Sequence, residues 1–98
     1  MATANYQEGL LKRLQDPGYA TEYLNEALKE GSQEVFMAAL RDVAKAKGIS
    51  LIAKEAELNR ESMYRMLSKK GNPNLSSLNK ILDTLGLTLT IGMKESAA

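Results

Sequence analysis

The chain of 98 residues contains no cysteine and no histidine. That excludes disulfide staples, Cys/His zinc sites, and catalysis by a thiol or an imidazole. No apolar run approaches the ~20 residues that span a bilayer, and the N-terminus carries no signal-peptide pattern, so no membrane partner is expected. This usage suits a reducing compartment, and the expected location is cytoplasmic. No fixed-period repeat, low-complexity linker, glycine-rich phosphate loop, metal constellation or paired-carboxylate site stands out. Ser77 and Lys80 match the Ser-x-x-Lys of serine acyl enzymes, but they sit in a leucine-rich helical pattern without that class's companion motifs. The reading is therefore of a protein that is not an enzyme and uses no cofactor.

Charge of one sign is missing too: 13 cations against 12 anions leave a net charge of +1. The distribution says more than the sum. Between Arg60 and Lys80 stand Arg60, Arg65, Lys69, Lys70 and Lys80 against Glu61 alone. From Asp16 to Glu34 the balance reverses, with Asp16, Glu22, Glu26, Glu30 and Glu34 against Lys29. A near-neutral protein with one basic zone can bind a polyanion through that zone; the same charges also read as ordinary solvated helix faces.

A chain of this length buries roughly two-thirds of the surface its unfolded form exposes, enough for one domain. Five helical patterns follow one another. Asp16-Pro17 is an N-cap followed by proline at N1, and Ala20, Tyr23, Leu24, Ala27 and Leu28 keep the spacing of one helix face up to Gly31. Ser32 caps the next helix, with Val35, Phe36, Ala39, Leu40, Val43 and Ala44 as its apolar stripe and Gly48 as its stop. A short third helix has Ser50 as cap. Asn59 caps a fourth, Arg60 to about Leu67, which points Met63, Met66 and Leu67 inward. Gly71-Asn72-Pro73 is a loop, and Asn74 caps a fifth helix through Leu75, Leu78, Ile81, Leu82 and Leu85 to Gly86. The alternation Leu87-Thr88-Leu89-Thr90-Ile91 predicts a short strand. Residues 1–15 read as an arm or short helix, since Gly9 weakens a longer one; residues 16–91 form the domain, and 92–98 a flexible tail.

Ser50 to Leu67 carries the chemistry. Two helices of about two turns are joined by a few residues, with small Ala53 mid-helix and apolar Leu58 in the turn. Ala53 permits a close crossing, Leu58 plugs the angle, and Met63 and Met66 anchor the second helix while its other side stays free. About 8 residues span about 12 Å, the width of the DNA major groove. The candidate DNA-contacting residues are Asn59, Arg60, Glu61, Tyr64, Arg65, Lys69 and Lys70. Arg60 opposes the helix dipole, yet it suits bidentate recognition of guanine; otherwise it is a surface charge. Arg65 either contacts DNA or pairs with Glu61 at i,i+4. Glu61 is a first-turn dipole partner before it is a cytosine reader. Tyr64 meets phosphate or a thymine methyl, or covers the helix flank. Asn59 is a cap first, and Lys69 and Lys70 clamp phosphate or complement the helix C-terminus.

The stretch SLIAKEAELNRESMYRML (Ser50–Leu67) resembles a helix-turn-helix of the Cro/cI type. With DPGYATEYLNEAL before it and LNRESMYRMLSKKGNPNLSSLNKILDTLGLTLTI across and after it, the chain from Tyr6 to Ile91 is similar to the antidote (antitoxin) proteins of addiction modules. The resemblance implies an all-α fold: a five-helix lambda-repressor-like DNA-binding domain with a short C-terminal strand. It also implies an antitoxin that binds its own operator and a cognate toxin. The turn position usually held by glycine is Glu57, which must then adopt a left-handed backbone. Two other readings stay open: a stand-alone regulator without a toxin, and a protein-interaction module with a vestigial motif. A domain this small is expected to read double-stranded DNA as a homodimer, with half-sites about 34 Å apart. The strand Leu87–Ile91 pairs either across that two-fold or against the chain's own N-terminal segment. Tyr19 and Tyr23, on the acidic helix, are toxin-docking candidates if the toxin is basic; core packing is the first reading of Tyr23.

Overall fold

The computed structural model describes residues 2–68 and 71–94, the side chains of residues 2–5 excepted. Its described part is all-helical, with six helices rather than five. They are α1 (Ala2–Arg13), α2 (Pro17–Lys29), α3 (Gln33–Lys47), α4 (Ile49–Glu55), α5 (Arg60–Met66) and α6 (Leu75–Thr84).

The additional helix is α1, and it runs straight through Gly9. A mid-helix glycine costs about 0.5–1 kcal/mol relative to alanine. Leu10 and Leu14 lie in the common core, and burying a leucine contributes about 1.5–3 kcal/mol, so tertiary burial outweighs local propensity. The other helices begin on the caps read from sequence. Side-chain oxygens of Asp16, Ser32, Asn59 and Asn74 accept from N–H groups two or three residues on. One boundary differs. Gly48, at φ 111°, closes α3 through its N–H to Ala44 and opens α4 at once. Only Gly48, which has no side chain, lies between the two helices, so α4 has no side-chain cap and Ser50 falls inside it.

Helix α3 lies at the centre, packed on α1, α2 and α4. The largest fully buried side chains are Leu40, Ile52, Met63, Leu67 and Ile81, drawn from α3, α4, α5 with its cap, and α6, the last two helices packed on α4. The stripe expected on α3 holds at Ala39, Leu40, Val43 and Ala44 and departs only in its first turn. Met37 is buried, Phe36 is half-buried and Val35 is exposed, because Val35 borders an open groove between α2 and α3.

The expected C-terminal strand is absent among the described residues. Residues 87–94 carry no strand ladder. Leu87 N–H is bonded to Leu82 O at 2.9 Å and its side chain packs on the core, but Leu89 is 43 % exposed and Ile91 98 %. A strand needs a neighbour to complete its hydrogen bonds, and α1 occupies the N-terminal segment that one reading paired with it. Of the tail expected at 92–98, residues 95–98 lie outside the described residues. No described helix is long and apolar enough to cross a membrane.

Candidate nucleic-acid interface

Helix α4 ends in a turn that sets the direction of α5. Leu58 N–H donates to Ala53 O at 2.8 Å and Glu57 N–H to Lys54 O at 3.2 Å. This paired closure requires a left-handed residue between, and Glu57 takes it at φ 56°. Leu58 then packs against the core, and Asn59 Oδ1 accepts from Glu61 N–H at 2.7 Å and Ser62 N–H at 3.3 Å. The orientation of α5 is thereby determined by backbone closure, an apolar plug and a cap within four residues.

On α5, Met63 and Leu67 are buried; Met66, expected inward, is only half-buried. Arg60, Glu61, Tyr64, Arg65 and Ser68 are exposed; at 3.6 residues per turn Glu61, Arg65 and Ser68 lie opposite Met63 and Leu67, with Arg60 and Tyr64 on the flank. Asn59 is exposed beside them. Lys69 and Lys70 lie outside the described residues. Among the described residues no ion pair joins Glu61 to Arg65. Instead the Arg60 guanidinium stands 5.6 Å from the centroid of the Tyr64 ring, with Nη2 3.4 Å from its hydroxyl. The ring holds the cation at the N-terminal end of α5, where the dipole alone would repel it.

Two residues that sequence reasoning missed, Arg41 and Gln33, and one it read only as a turn, Gly71, brace this face from behind. Half-buried Arg41, on α3, donates from Nε to Leu67 O at 2.5 Å, placing a cation at the C-terminal end of α5 where carbonyls lack partners. Gly71 was read as turn chemistry, but its requirement is steric. A Cβ there would run into the Met66 carbonyl, so only glycine lets the loop lie against the end of α5. Gln33, at the start of α3, donates to Gly71 O at 3.4 Å and Asn72 Oδ1 at 3.3 Å. The partners of Arg41 and Gln33 lie 26 to 39 residues away, beyond any local sequence signal.

The opposite charge gathers elsewhere. Tyr23, Glu26, Glu30, Val35 and Asp42 border the groove between α2 and α3. Tyr23 is half-buried and donates to Asp42 Oδ2 at 2.8 Å. Burial, and then the hydrogen bond and negative charge of Asp42, push its hydroxyl up to about 12 from an ordinary 10.0. Tyr19 is half-buried too, under the guanidinium of Arg13 at 5.6 Å.

Fold and site together define a small all-helical protein that offers one short, well-braced helix with a polar, arginine-bearing face. The chain belongs to the addiction-module antidote family: the family model described as "probable addiction module antidote protein" matches residues 7–93. A protein of Haemophilus influenzae, itself named only as uncharacterized, is 39 % identical over 75 residues, covering 76 % of this chain and 77 % of that relative. No solved structure matches the chain.

Proposed function

We propose that this protein is a DNA-binding antitoxin of the cytoplasm that represses its own toxin–antitoxin operon and neutralises a cognate toxin by direct binding. In this reading residues 16–91 are a Cro/cI-type helix-turn-helix domain, α4 and α5 are the motif, and a homodimer places two copies of α5 in successive major grooves. The observation that carries it is the exposed surface of α5, where Glu61, Arg65 and Ser68, flanked by Arg60 and Tyr64, stand free on a helix anchored by Met63 and Leu67. Side chains so presented reach base edges and phosphates. Asn59, Lys69 and Lys70 flank the same helix in sequence and supply phosphate contacts. The antidote family supplies the toxin; the acidic groove beside Tyr23 suits a basic one.

The test is fluorescence anisotropy on a duplex from the chain's own upstream region, against a scrambled duplex, across a salt series. Preference for the native duplex by a factor of ~1000 or more, with affinity falling steeply as salt rises, supports operator binding. Arg60→Ala and Arg65→Ala should each weaken that preference by about 1–3 kcal/mol, or about 5- to 150-fold. Equal, weak binding to both duplexes, insensitive to both substitutions, would refute it and favour a protein-interaction module.

A further inference from the structure

The C-terminal segment is an apolar face with one side missing. Leu87 and Leu89 border an open groove of about 230 Å³ whose other apolar walls are Leu24, Leu28, Phe36 and Leu82. Leu28 and Leu89 are 49 % and 43 % exposed. In an extended chain alternate residues share a side, so Ile91 and Met93 continue the row begun by Leu87 and Leu89. They leave the body of the protein as they do so, at 98 % and 94 % exposed. The last backbone hydrogen bond among the described residues is that of Leu87 N–H. Thr88 to Met93 therefore combine an open strand edge with an apolar row, a template for pairing.

We infer that residues 87–93 form the homodimer interface by pairing antiparallel with the same segment of a second copy. The sequence itself selects that occupant. An antiparallel pairing centred on Thr90 sets Leu89 opposite the partner's Ile91 and Leu87 opposite the partner's Met93, so every apolar residue of the row meets another on one face. Each copy's Ile91 and Met93 then lie over the groove that the partner leaves open. The interface is self-complementary, as a two-fold axis requires. No residue of α5 borders the groove, so this pairing does not use that helix. This deepens the dimer of the proposed function but stands on the C-terminal geometry alone; a dimer that ignores DNA would sink operator binding and leave this interface intact.

The absence of cysteine gives a direct assay on the full chain. At the centre of the pairing, the two Thr90 Cα atoms lie about 4.5–5.5 Å apart, within disulfide reach. Thr90→Cys should form a covalent dimer under mild oxidation, whereas Ser68→Cys, on the exposed face of α5, should not. In light scattering at micromolar to submillimolar concentration, the wild-type chain should show twice its monomer mass. Ile91→Glu with Met93→Glu should show the monomer mass with unchanged helical circular dichroism, since both side chains are solvated in the single chain. A monomeric wild type, a double variant that stays dimeric, or no Thr90→Cys cross-link would each overturn the inference.

Discussion

Replacing Glu57 by glycine should stabilise the protein, although it removes a side chain and adds no contact. Glu57 holds φ 56° in the turn between α4 and α5, the one positive φ outside glycine among the described residues. A left-handed backbone costs an L-residue with a Cβ about 1–2 kcal/mol. Its side chain is exposed and joins no ion pair among the described residues, so little offsets that cost. Glycine relieves the clash but gains about 0.5–1 kcal/mol of extra freedom in the unfolded chain. The expected net gain for Glu57→Gly is therefore about 0.5–1 kcal/mol, or about 2–8 °C in Tm for a domain of this size. Glu57→Ala keeps the Cβ and should stay within about 0.5 kcal/mol of wild type. Thermal and urea melts followed by circular dichroism measure both. A lower Tm for Glu57→Gly would refute the reasoning. So would an equal rise for Glu57→Ala, because removal of charge rather than relief of the backbone would then explain the gain.

Arg41→Met should cost about 1.5–3 kcal/mol, the range for a hydrogen bond from a charged donor, and should reduce hydrogen-exchange protection in α5 before other helices; uniform loss of protection would contradict a specific brace on Leu67. Gly71→Ala should destabilise by at least the ~1–3 kcal/mol of an overpacked site, because the obstacle is the Met66 backbone rather than a side chain that can swing away; an unchanged melt would show that the loop can retreat. Tyr23 makes stability depend on alkaline pH. Its hydroxyl is raised from 10.0 to about 12 in the folded protein, so the folded state holds the proton that the unfolded state releases first. The contribution is complete below pH 10 and is lost as pH rises through 12. Urea melts across that window should show a loss that Tyr23→Phe abolishes, and equal slopes for both proteins would disprove the assignment.

Much of the fold was written in short stretches of chain. Asp16, Ser32, Asn59 and Asn74 cap their helices through bonds to residues two or three positions on, and Gly31, Gly48 and Gly86 take positive φ where helices end. The left-handed turn at Glu57 was legible through the resemblance to a helix-turn-helix, whose turn usually holds glycine at that position, and Glu57 takes φ 56° there. The polar face of α5 was legible from its period: Met63 and Leu67 bury one side of a short helix, which leaves Glu61, Arg65 and Ser68 opposite and Arg60 and Tyr64 on the flank. Local geometry decides all of these, and local geometry is a property of sequence alone.

Tertiary structure decided whatever depends on a distant partner. Gly9 argued against α1 until Leu10 and Leu14 found the core. Val35 carries the right polarity for a buried position but borders a groove that α2 leaves open. Arg65 had a suitable partner in Glu61, yet the pairing on this helix is Arg60 with Tyr64. Arg41 and Gln33 look like surface residues until Leu67 and the loop at Gly71 come within bonding distance of them. For Leu87–Ile91, alternation set the polarity of each side but supplied no neighbouring edge, and a strand exists only where another backbone completes its bonds.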